Sequence, residues 1–192
     1  DNIAVKRRAY QIAREVAGDA NVEDRLLLRV QRERTGDALL QAVIDALATD
    51  PVYRDFVIST RRDELPTDRD AIAVEVQDSQ VRLYGQANSL SHRRLAEVTV
   101  WWVPGTADVE NRIRVQPPQR DSDEEITEIV RLVFDKDPTL DAQNIQITTR
   151  DRVVTLAGVV NSEAHLHIAE QDCWYIPGVH QVQNQLQIRP RS

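Results

Sequence analysis

The sequence contains no methionine, one cysteine and six glycines in 192 residues. A single cysteine, Cys173, excludes an internal disulfide framework. No Gly-rich loop is present to cradle a phosphate, and no nucleophile elbow. No stretch approaches the ~20 consecutive apolar residues that span a bilayer. No basic segment, apolar core and small-residue cleavage site open the chain. Asp1 is not an initiator methionine, so a processed or partial product is expected, with a signal sequence upstream. The carboxylate pair Asp63-Glu64 reads as part of a loop, and Asp123-Glu124-Glu125 as a helix start. Neither offers a placed acid and base, so no catalysis and no cofactor are expected.

Charge is plentiful but uneven. The net value of −7 divides into +2 over residues 1–34, −4 over 35–118 and −5 over 119–192. An acidic bulk disfavours nucleic acid and anionic membranes as partners of the whole surface. The sequence-local basic clusters are Lys6, Arg7 and Arg8, and the run Arg25, Arg29, Arg32 and Arg34. Solvated faces explain both, with a weak basic patch at Lys6, Arg7 and Arg8 as the alternative.

One pattern recurs three times: ANVEDRLLL from Ala20, ADVENRIRV from Ala107 and HQVQNQLQI from His180. A glycine stands two residues before each, at Gly18, Gly105 and Gly178. Such self-similarity marks an array of one small unit. In the last copy, Ser122 and Glu125 form a capping-box signature. Ile126, Ile129, Val130, Val133 and Phe134 follow at helical spacing, and Asp137-Pro138 ends the helix. Ile145 and Ile147, then Val154, Leu156 and Gly158, predict two strands joined by a turn at Arg150-Asp151. Ser162 caps a second helix whose stripe is Ile168, Ala169, Cys173 and Ile176; Pro177-Gly178 stops it. A strand through Val182, Leu186 and Ile188 completes an α-β-β-α-β order.

The middle copy repeats that order, from the helix of Leu39, Leu40, Val43, Ile44 and Leu47 to the strand of Val109, Ile113 and Val115. Relative to the last copy it carries a 14-residue insertion near residues 54–71. Its charged and proline-containing character predicts an exposed loop. The first copy holds only the second half: a helix with Ala9, Ala13 and Val16 as its stripe, and a strand through Val22, Leu26 and Leu28. The expected domains are therefore a partial repeat at 1–34, a domain at 35–118 and a domain at 119–192. A lone helix–strand pair cannot bury its apolar face unaided. It must dock on a neighbouring unit, pair with another chain or await upstream sequence.

The strand–Gly–helix–Pro-Gly–strand sequence resembles the BON domain, a bacterial module named for osmotically inducible and nodulation proteins. The resemblance rests on VTLAG (Val154–Gly158), Ala169, PGVHQVQNQLQI (Pro177–Ile188), LYG (Leu83–Gly85) and PGTADVENRIRV (Pro104–Val115). Departures are Gln80 and Arg152, where the family's hairpin turn often has Gly, and Ala17 in place of Pro. The resemblance implies an α+β fold of tandem α-β-β-α-β domains, each with two helices on one face of a small three-stranded mixed sheet. It also implies a periplasmic or cell-envelope setting, phospholipid or envelope-protein partners, and no catalysis.

His165 and His167 lie two apart, on different faces of a helix, so no shared metal is expected. Cys173 falls on the buried stripe and reads as an inert core thiol. The aromatic pairs Trp101-Trp102 and Trp174-Tyr175 occupy the same two positions of their copies, where the half-copy has Arg14-Glu15. They either pad the edge of the core or form a patch that binds lipid or a protein partner. A homo-oligomer assembled through the incomplete first repeat is the alternative function.

Overall fold

A computed structural model describes residues 3–17, 25–28, 36–119 and 121–190. The chain divides into two compact units, residues 27–120 and residues 121–192 together with 1–26. The first helix, α1 (Ile3–Ala17), belongs to the second of these.

In the first unit the order is α2 (Gly36–Thr49), β1 (Val57–Ser59), β2 (Ala71–Gln77), β3 (Gln80–Ala87), α3 (Leu90–Trp102) and β4 (Asp108–Val115). The sheet order is β1-β2-β3-β4, with β2 and β3 antiparallel and both outer pairs parallel. α2 and α3 pack on it and bury Leu39, Val43, Leu47 and Leu95 against Ile72, Val74, Val81 and Leu83. The second unit runs α4 (Asp123–Lys136), β5 (Ile145–Arg150), β6 (Val153–Val160), α5 (Glu163–Tyr175) and β7 (Gln181–Ile188). Its sheet is three-stranded, β5-β6-β7, antiparallel then parallel. All five apolar residues of the α4 stripe are buried there. This is the expected α+β architecture of helices on a small mixed sheet, with a fourth strand added to the first copy.

The helix starts follow capping chemistry. Ser89, Ser122 and Ser162 each accept a hydrogen bond from the amide three residues on, at 3.1–3.3 Å. The repeated asparagine explains the recurring tail. Asn111 Nδ2 donates to the Arg93 carbonyl at 2.7 Å, and its Oδ1 accepts from Ile113 N at 3.1 Å. Asn184 does the same with Leu166 O at 3.0 Å and Leu186 N at 3.2 Å. Each asparagine thus ties the last strand to the second helix of its own copy. Gly85 and Gly158 adopt φ of +130° and +126°. A Cβ on either would strike a neighbouring carbonyl oxygen, of Ala71 or Asn144.

Four local expectations are corrected. The insertion is not simply an exposed loop. A 3₁₀ turn at Pro51–Tyr53 buries Tyr53, whose hydroxyl donates to His92 O at 3.0 Å. Phe56 packs edge-on against Tyr53 at 5.2 Å, and β1 then pairs with β2. The apolar run Phe56-Val57-Ile58 and an open strand edge outweigh the surrounding charge. The last copy's hairpin turn sits one residue later than expected, at Asp151-Arg152, and the middle copy turns at Asp78-Ser79, all four at positive φ as a type I′ turn requires. Ser79, not Gln80, is therefore the residue standing where glycine would suit.

The half-copy differs most. Among the described side chains of α1 the buried ones are Ile3 and Lys6, whereas Ala9 is half-buried, Ala13 is exposed and Val16 is 84% exposed. α1 packs on the helix α5, not on a sheet of its own, so the stripe inferred from sheet-packed helices does not transfer. Of the expected strand, Arg25–Leu28 has no regular structure, and Val22 lies outside the described residues. β4 and β7 each pair with a middle strand of their own copy, and the described residues among 1–34 hold no such strand. Leu28 N instead donates to Ala107 O at 3.0 Å.

Candidate functional site

The second helices carry the aromatic pairs at their C-terminal ends. α3 is buried through Arg94–Ala96 and again through Val98–Trp101, a surface wider than one stripe. Trp101 is accordingly 8% exposed, and Trp174 on α5 is 7% exposed. These two rings are anchors in the packing. Trp102 and Tyr175 remain half-buried and retain the accessible aromatic surface of each pair. Tyr175 accepts a hydrogen bond from Gln171 Nε2 at 3.1 Å, and burial raises its pKa.

The candidate basic patch at the start of the chain is not a solvated face. Lys6 is 7% exposed and Arg7 half-buried, while the Arg8 side chain lies outside the described residues. Arg25 lies within the described residues; Arg29, Arg32 and Arg34 do not.

Cys173 is fully buried, and burial pushes its thiol pKa up, so it stays protonated. Its neighbour Asp172 is 3% exposed and has one carboxylate oxygen, Oδ2, without a hydrogen-bond partner. Burial, and the Asp137 carboxylate beside it, push the Asp172 pKa up to about 8. Asp137 in turn accepts from Thr139 N and Oγ1 at 2.7 Å each. His92 packs against Phe56 and Tyr53, and its Nδ1 lies 2.7 Å from Ser89 Oγ and 2.8 Å from Asn88 Oδ1. Desolvation lowers its pKa. Among the described residues no group of three or more His, Cys, Asp or Glu could hold a metal ion, and no helix is long and apolar enough to cross a membrane.

A basic concavity lies on the face of the first sheet that α2 and α3 leave uncovered. Alternation in β4 turns Ile113 inward and sets Arg112 and Arg114 outward. Tyr84 of β3 is opposite Arg112, and Gln86 is opposite Arg114. The insertion crosses over them: Gln86 Nε2 donates to Thr67 O at 3.2 Å and Arg69 O at 2.8 Å. The guanidinium of Arg62 rests 4.5 Å from the Tyr84 ring centroid, and that of Arg112 rests 5.6 Å from it. The concavity has a volume of about 540 Å³. Sequence reasoning missed it, because it looked for runs of basic residues. The available signal was Arg112-x-Arg114, where the last copy has Gln185 and Gln187.

Comparison with known proteins gives a family and little more. The BON domain family matches residues 59–117 and 122–190. No curated protein matches the sequence. Among solved structures, the chain is similar to the C-terminal domain of CdsD, the structural protein of the type III secretion system of Chlamydia trachomatis. Identity is 12% and the TM-score 0.31, with 80% of this chain and 67% of that one covered. A second CdsD structure gives 12%, 0.32, 81% and 64%. The chain thus spans about two thirds of those chains, at TM-scores too low to carry an argument about it.

Proposed function

The chain belongs to the BON domain family, with two tandem copies, and from that premise we propose a non-enzymatic binding module of the bacterial cell envelope. BON domains are generally thought to associate with membranes and phospholipids and are generally non-catalytic. The domain boundaries we propose are a partial repeat at 1–34 and domains at 35–118 and 119–192. The observation that carries the reading is positional: Trp102 and Tyr175 are half-exposed aromatics at the same position of both copies. Each sits beside a buried partner, Trp101 or Trp174, that holds the helix end in place. Tyr and Trp suit a membrane interface because an apolar ring carries a polar tip. Co-sedimentation of the full chain with phosphatidylglycerol vesicles tests this. Binding that weakens in Trp102→Ala and Tyr175→Ala supports it; binding that neither substitution changes refutes it.

A second reading, assembly between copies of the chain, draws on α1. Its outward residues Ile12 and Val16 are exposed although α1 packs on α5 of its own chain. Sedimentation of the chain and of Val16→Glu separates the two readings. A monomer at all concentrations removes the second.

A further inference from the structure

We propose that the concavity over β3 and β4 of the first BON copy is a binding site for a phosphate-bearing anion. Arg62, Arg112 and Arg114 converge on it, and no residue lining it is acidic. In a chain of net charge −7 this is a local reversal of sign. Arg62 and Arg114 have no carboxylate partner among the described residues. Arg112 is held from the side by Glu110, at 2.5 Å, and Glu110 is shared with Arg82 at 3.1 Å. The Tyr84 ring lies within cation–π range of both Arg62 and Arg112. Two of the three guanidinium groups are thereby oriented before any ligand arrives, which lowers the entropy lost on binding. Planar guanidinium forks match the oxygens of a phosphate, and a space of about 540 Å³ accommodates a phosphate with a small organic body.

The rest of the cleft is specific to this copy. Its wall of Leu65, Pro66 and Thr67 is supplied by the insertion, which the second copy lacks. At the positions of Tyr84, Arg112 and Arg114 the second copy has Ala157, Gln185 and Gln187. The shared fold therefore requires none of the cleft's charge. The site is separate from the aromatic helix ends and stands without them.

The ligand's phosphate could belong to a soluble ester or to a lipid headgroup, and two probes distinguish these. Inorganic phosphate is titrated into the full chain by NMR, following the Tyr84 and Arg114 amides. Phosphatidylglycerol vesicles and neutral phosphatidylcholine vesicles are compared by co-sedimentation. The test variant is Arg112→Gln/Arg114→Gln, which installs the residues the second copy already tolerates on the same strand. Arg62→Gln, in the insertion, is the second variant, and a thermal melt checks that both fold. Phosphate affinity at least tenfold weaker in both variants supports a soluble ligand. Loss confined to the anionic vesicles supports a headgroup. No binding of either probe by the parent chain, or equal binding by parent and variants, overturns the proposal.

Discussion

Replacing Asp172 by Asn should stabilise the protein at neutral pH and remove part of its pH dependence. The carboxyl is 3% exposed on α5, next to Asp137, and its pKa rises from 3.8 to about 8. The native state therefore holds a proton that the unfolded chain releases near pH 4. For a group whose folded pKa is raised, the associated stability is complete below the unfolded pKa. It is lost as pH rises through the folded one. The gap corresponds to a loss on the order of 5 kcal/mol between pH 4 and pH 8, most of it incurred by pH 7. An Asn side chain has the same shape, never ionises, and keeps a donor for the Asp137 carboxylate. The gain expected from Asp172→Asn is on the order of 2–4 kcal/mol at pH 7.5 and about 1 kcal/mol or less at pH 4.5. Urea unfolding of parent and variant at pH 4.5, 6.0 and 7.5 reads the difference directly, because every other titrating group is common to both. A difference that does not change with pH, or a variant less stable throughout, would refute the argument that Asp172 is buried as the neutral acid.

Two further predictions test the repeat itself. Asn184→Ala removes one donor and one acceptor that hold backbone groups of α5 and β7. It should cost about 2 kcal/mol and speed hydrogen exchange at the Leu186 amide; an unchanged exchange rate there would show that the tie is dispensable. Gly158→Ala places a Cβ against the Asn144 carbonyl at positive φ, so a loss of at least about 2 kcal/mol is expected. Gly36→Ala has open space around it and serves as the control, with no loss in a thermal melt.

The faces that pack within a copy were legible in the sequence because burial imposes a period. Ile126, Ile129, Val130, Val133 and Phe134 recur at helical spacing and are all buried. The serine caps were legible for a similar local reason, since each acts three residues away. Tertiary placement was not. The recurrence of Asn111 and Asn184 was visible, yet their hydrogen bonds reach carbonyls 18 residues earlier on another element. The α1 stripe was transferred from helices that lie on a sheet, and α1 lies on α5, so a lysine is buried and a valine exposed. The basic cleft was hidden for a third reason. Arg62 lies 50 residues before Arg112 in sequence, and the two meet only because β3 and β4 pair in parallel beneath the insertion.

The two copies differ in where this freedom is used. The inner face of each sheet must fit two helices, and the same residue types appear there at an offset of 73. The outer face has no such duty. In the second copy it carries a neutral row, Gln146 opposite Ala157 and Ala157 opposite Gln185. In the first copy the corresponding rows carry Tyr84, Arg112 and Arg114, and an insertion that orders part of itself as β1 in order to cover them. A cation cluster on an otherwise acidic chain is electrostatically unfavourable for folding unless the charges are separated or paired. Glu110 between Arg82 and Arg112 pairs only one side of this cluster. The fold tolerates glutamines at the same positions of β7, so the arginines of β4 do not follow from the needs of the core. What they change is the outer face, where Arg112 and Arg114 of the first copy stand at the positions of Gln185 and Gln187 of the second.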